Sequence, residues 1–242
     1  MKIFTVKLKY WYFAFSAGVF LVLAMIAGIF PSPFAATALT GQRAPVFQGN
    51  LAEPKIALAC NVFWGEDLIP DMLKILADKN VKITFFMGGS WSKRYPDIVR
   101  SIADAGHELG NHSYSHPHPN ALTKQENQDQ ILRTEQLLTD ITGKKTTLYA
   151  PPYGEYNDRV IAAAAELGYT TVMWSIDTID WQRPSPEVIK NRVLKKIHNG
   201  AIILMHPTKP TLEALPGLLD ELIRRGYQVT TVSIILPEND RQ

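Results

Sequence analysis

Gly106-His107-Glu108-Leu109-Gly110-Asn111-His112-Ser113-Tyr114-Ser115-His116 changes character twice over a short span. Gly106 closes a helical pattern, residues 108–111 read as a short strand, and a polar loop with two imidazoles follows. Helix, glycine, strand and polar loop in that order form the unit of a fold in which parallel strands alternate with helices. The same order recurs outward in both directions. Strand runs are read at 56–60, 83–87, 108–111, 147–149, 171–175, 201–205 and 227–231, and Gly106, Gly168, Gly200 and Gly226 each separate a helical pattern from a strand. Between them, Ile69, Met72, Leu73 and Leu76 repeat at helical spacing behind Pro70, and Thr123 with Glu126 predicts a capping box for a helix that Gly143 ends. Seven strand runs of this kind point to an α/β barrel.

In a parallel barrel the chemistry collects on the loops that leave the C-terminal ends of the strands. Asn61 and Gly65-Glu66-Asp67 follow the first strand, His112 to His116 the third, and Pro151-Pro152-Tyr153-Gly154 the fourth. Asp177, Asp180 and Trp181 follow the fifth, and His206-Pro207 the sixth. All of these are expected on one rim. His112 and His116 are four apart, a spacing that lets one turn aim both rings at a single cation, although a surface role in a polar loop satisfies the same spacing. His206 ends an apolar strand, where an imidazole paired with Asp177 or Asp180 can donate a proton to a leaving amine; a backbone-bonded strand end is the alternative. His107, His198 and His118 read as turn, helix-end and solvated loop residues. Cys60 lies in an apolar run and reads as a buried core thiol.

Residues 1–9 hold Lys2, Lys7 and Lys9, and residues 10–30 are uncharged and largely apolar. This pattern predicts a transmembrane anchor with the lysines on the cytoplasmic side and the rest of the chain extracytoplasmic; a cleaved signal and secretion is the alternative, since residues 36–38 offer a small-residue cleavage pattern. The proline- and glycine-bearing stretch 31–54 reads as a linker, and 55–236 as the folded domain. With 25 basic against 23 acidic residues, the net charge of +2 gives no broad basic field for nucleic acid. A single cysteine excludes an internal disulfide.

Taken together, the segments Gly106 to His116, Pro151 to Gly154, Asp177-Thr178-Ile179-Asp180-Trp181 and Leu204-Met205-His206-Pro207 resemble the polysaccharide deacetylase family, also called the NodB homology domain or carbohydrate esterase family 4. The resemblance covers about 55–236. It implies a distorted (β/α) barrel of about seven parallel strands, a divalent metal such as Zn2+, and removal of acetyl groups from N-acetylglucosamine-containing polysaccharide, peptidoglycan or similar. It implies His112 and His116 as metal ligands and His206 as general acid, tuned by Asp180 or, second, by Asp177. The Tyr153 N–H would hold the oxyanion, and Trp181, Leu204, Pro152 and Asn61 would face the substrate.

The family's first motif carries two adjacent aspartates, one a base and one a metal ligand, where this chain has Asn61 and Val62. Its third motif begins with an arginine that orients the catalytic aspartate, where this chain has Ala150. Loss of both partners of a buried ion pair is far milder than loss of one, so these changes belong together. Two outcomes follow. Either Glu66 or Asp67 supplies the third metal ligand and a sporulation-type deacetylase results, or the site binds glycan without turning it over, as an envelope binding or scaffold protein. A barrel glycosidase using Glu66 and Asp180 is a third reading, and it predicts chain cleavage.

Overall fold

The computed structural model describes residues 44–237. Among them run β1 (Lys55–Val62), α1 (Ile69–Asp78), β2 (Thr84–Met87), α2 (Gly89–Arg94), α3 (Pro96–Asp104), β3 (Glu108–Asn111), α4 (Lys124–Thr142), β4 (Leu148–Tyr149) and α5 (Asp158–Glu166). Then come β5 (Thr170–Thr171), β6 (Ile176–Asp177), α6 (Pro186–Lys196), β7 (Ile202–Met205), α7 (Lys209–Arg224), β8 (Gln228–Thr230) and α8 (Val232–Ile235). Seven strands lie in the order β5-β4-β3-β2-β1-β7-β6, and β8 pairs with the start of β1. Every strand pair is parallel. The capping box forms at Thr123 and Glu126, and Gly143 ends α4 in the left-handed region at φ 70°.

The run expected as one strand at 171–175 is two short strands, because its halves serve different neighbours. Val172 N–H donates to Tyr149 O at 2.8 Å on the β4 side, whereas Ser175 N–H donates to Ile202 O at 3.1 Å on the β7 side. This run therefore crosses from one end of the sheet to the other and bends it into a distorted barrel. Breaking the ladder leaves backbone groups to satisfy, and the chain ahead of β1 satisfies them. Val46 N–H donates to Thr171 O and Met173 N–H to Val46 O, and Gln48 bridges to Ala201. The expected boundary at residue 55 is thus corrected: at least residues 46–54, read as linker, belong to the domain. The apolar run 10–30 and the tail 1–9 lie outside the described residues, as does most of the stretch read as linker. Among the described residues no helix is long and apolar enough to cross a membrane.

Period-two alternation sorts the strand residues into two layers. Ile56, Leu58, Cys60 and Val62 of β1 join Phe85, Leu109, Ile203 and Met205 against the helices, where Met72, Ile102, Leu138, Leu218 and Leu222 complete the larger core. Ala57 and Ala59 face inward with Phe86, Leu148, Ala150 and Ile202. The interior is tight: a Cβ on Gly110 would lie 2.4 Å from the Phe86 ring. Following the inward register to the C-terminal end of β1 and just past the ends of β3, β4 and β7 leads to Asn61, His112, Ala150 and His206, so one geometric rule delivers four motif positions to the same mouth.

Candidate functional site

A cavity of about 490 Å³ opens at this mouth, within the range of small-molecule sites. Asn61, His112, His116, Tyr153, Asp177, Trp181, Leu204 and His206 line it, all of them named from the sequence. Gly154, expected on the rim, lines it as well, and Phe63, Trp64 and Trp174 line it without having been named. Pro152 is corrected: it is buried, begins the 3-10 turn Pro152–Gly154, and is not among the lining residues. The rim loops are held in costly backbone conformations. Of the six non-glycine residues with positive φ among the described residues, Ser113, His116, Tyr153, Ile179 and Arg183 lie on them, and such strain concentrates at functional sites.

His112 leaves β3 fully buried. Its Nδ1–H donates to Ala150 O at 2.7 Å, which fixes the tautomer and leaves Nε2 with a lone pair. Burial, and next the neighbouring His116, push the His112 imidazole down to about 3. His116 lies with its ring centre 4.9 Å from that of His112 and is also lowered, first by burial. Tyr153 packs edge-on to His116 at 4.6 Å and flat against His118 at 4.1 Å. His118 accordingly has a specific place, joined to Glu155 at 3.0 Å, rather than only a solvated one.

Asp180 sits behind His206 with no exposure. One carboxylate oxygen accepts from His206 Nδ1–H at 2.7 Å; the other accepts from the His206 backbone N–H at 2.6 Å and from Thr211 Oγ1–H at 2.5 Å. Asp177 instead caps the turn, accepting from Ile179 N–H at 2.7 Å. Trp64 stacks on the His206 ring at 5.7 Å, and Arg183 lies 6.0 Å from the Trp64 ring. Thr211 was legible only as a helix-start residue three after the N-cap Thr208, and Trp64 only as an aromatic past a strand end.

Glu66 does not join the histidines. Its carboxylate accepts from Tyr95 O–H at 2.7 Å and from Trp91 Nε1–H at 3.3 Å, and it does not line the cavity. Gly65, at φ +86° and so close to Pro207 that an added Cβ would lie 2.5 Å from its carbonyl oxygen, makes the turn that precedes Glu66. Asp67 is exposed and also off the cavity. Val62 is fully buried on the helix-facing side. Among the described residues, no three of histidine, cysteine, aspartate and glutamate gather where they could hold a metal ion. Catalytic zinc sites take three protein ligands, so the two imidazoles fit part of such a site and the full donor set does not fit. The glycosidase reading fails with Glu66, since Glu66 and Asp180 do not flank the cavity.

The buried imidazoles contribute to the acid response of the fold. His107, at the opposite end of β3, accepts from Ile83 N–H and is pushed down to about 4 by burial and then by Lys82. Above the ordinary histidine value of ~6.5, His107 and His112 are neutral whether folded or unfolded, and contribute no pH dependence. Below it the unfolded chain takes up protons first, so stability falls by ~1.4 kcal/mol per pH unit for each, down to about 4 for His107 and about 3 for His112. Urea midpoints should therefore drop between pH ~7 and pH ~5; unchanged midpoints would remove the assignment of buried neutral rings.

Comparison with known proteins gives the following matches. The family model for polysaccharide deacetylase matches residues 48–172. A peptidoglycan-N-acetylglucosamine deacetylase from Bacillus cereus is 34% identical over 191 residues, covering 77% of this chain and 70% of that protein. An uncharacterized Bacillus subtilis protein, YlxY, is 44% identical over 197 residues; the match takes in 81% of this chain but only 62% of YlxY's length. Among solved structures, a CE4 family pseudoenzyme from Bacillus anthracis superposes with a TM-score of 0.79 at 41% identity, covering 81% of this chain and 69% of that one. A mutant of that pseudoenzyme, described as having restored enzymatic activity, superposes equally well.

Proposed function

We propose, from the premise that this chain belongs to the polysaccharide deacetylase family, that its cavity binds an N-acetylated cell-wall glycan and leaves the acetyl group in place. The observation that carries this reading is the position of Glu66. With its carboxylate committed to Tyr95 and Trp91, and with Asn61 unable to titrate, the described residues bring neither a third metal ligand to the two imidazoles nor a carboxylate base to position 61. What remains suits recognition. Trp64, Trp174, Trp181 and Tyr153 offer faces on which sugar rings stack, and Asn61, His112, His116, His206 and Asp177 offer polar partners. Peptidoglycan is the polymer proposed, because the named enzymes among the relatives act on it. The extracytoplasmic location belongs to the same proposal and rests on the lysine-flanked apolar run 10–30.

One observation favours a metal-dependent deacetylase instead. His206 and Asp180 keep the geometry of a proton donor and its partner, and His112 is oriented as a ligand would be. Acetate release from N-acetylglucosamine oligomers with added zinc separates the two readings, compared among the unmodified protein, His206→Ala and Glu66→Gln. Equal background in all three is expected, alongside measurable oligomer binding by the unmodified protein. Release by the unmodified protein that disappears in His206→Ala establishes the deacetylase reading.

A further inference from the structure

Asn61 holds a buried polar atom that nothing among the described residues uses. The residue is 5% exposed and lines the cavity, and its carboxamide oxygen has no hydrogen-bond partner among the described residues. Buried polar atoms are almost always partnered, so an orphan beside a ligand cavity marks a bond that a ligand is placed to complete. A carboxamide accepts through its oxygen and donates through its NH2, and a half-turn exchanges the two. An acetamido group has the matching pair, an N–H donor and a carbonyl acceptor. A sugar ammonium has donors only, carries a charge, and lacks a methyl group, for which Leu204 and Trp181 offer apolar lining in the cavity.

We propose that Asn61 makes this cavity a reader of acetylation state, binding glycans that keep their N-acetyl groups in preference to their deacetylated counterparts. The inference rests on the glycan-binding reading above and adds the residue that sets its selectivity. An aspartate at this position accepts only, and its charge draws an ammonium group; the amide side chain reverses that preference. Asp177 also lines the cavity and attracts a cation. Its pull is the same in every Asn61 variant, as is any methyl contact with Leu204, so the share owed to Asn61 can be isolated.

The test is calorimetric titration of the purified full-length protein, in chelator-containing buffer, with the N-acetylglucosamine tetramer and with the fully deacetylated tetramer. The unmodified protein is expected to favour the acetylated tetramer. Asn61→Leu, of similar size and without polar atoms, is expected to shrink the affinity ratio about tenfold, equivalent to ~1.4 kcal/mol. Asn61→Asp is expected to shift the ratio further, toward the amine. Because no hydrogen bond among the described residues involves the orphan oxygen, the Asn61→Leu variant should keep the thermal midpoint of the unmodified protein. A ratio unchanged in both variants overturns the assignment to Asn61 and leaves glycan binding standing. Failure of the unmodified protein to bind either tetramer overturns the glycan-binding reading and this inference with it.

Discussion

Asp180→Ala is expected to lower the stability of the protein by ~3–5 kcal/mol, the range for removing one partner of a buried, hydrogen-bonded charge. The carboxylate has no exposure and receives three donors, two from His206 and one from Thr211. Truncation leaves a buried backbone N–H and a buried hydroxyl without their acceptor. It also frees the His206 ring, which keeps its stacking on Trp64 but loses the acceptor at Nδ1. For a domain of this size ~1 kcal/mol moves the thermal midpoint by roughly 2–4 °C, so the midpoint should fall by roughly 10 °C. Asp177→Ala is the internal control: one turn-capping bond at a partly exposed residue is lost, at ~1 kcal/mol. Equal midpoints for the two variants would mean that Asp180 does not anchor the β7 loop to the rim.

The strand order was less legible in the sequence than the strands themselves. Apolar runs and glycine punctuation report local conformation, and all seven runs contain strand residues. The break at residues 173–175 arises from partners supplied by β4, β7 and Val46, remote in sequence, and no local pattern announces it. The rim residues were legible for a physical reason. Side chains alternate along a strand, and polar groups just past an apolar strand fall on the mouth of the barrel.

Glu66 was misplaced because its neighbours in sequence belong to the mouth while its own partners, Tyr95 and Trp91, come from α2 and the residue that follows it. Gly65 carried the signal that the chain turns, but not the direction. Thr211 shows the same limit from the other side. Its hydroxyl completes the Asp180 network from α7, a contact that exists only once β7 has brought that helix back to the rim.

Asn61→Asp combined with Val62→Asp is expected to produce zinc-dependent acetate release, above the unmodified protein by ~10²–10⁴, the usual worth of a general base. The two substitutions act at different places. Position 61 lies on the inward register of β1, where a carboxylate enters the cavity directly. Position 62, the last residue of β1, is fully buried on the helix side, so a carboxylate there destabilises the metal-free protein and meets the two imidazoles only if zinc draws the strand end round toward the cavity. Zinc should recover that stability, since a ligand bound only by the folded state stabilises it by mass action. The double variant is therefore expected to melt below the unmodified protein in chelator and to rise when zinc is added. Asn61→Asp alone should show neither the rise nor the release, because the donor set still lacks its third ligand. Ala150 leaves the new Asp at position 61 without the arginine that orients it in the family, so the gain should lie toward the lower end of that range. A double variant that retains no zinc by metal analysis would place the deficiency of this site outside the two substituted positions.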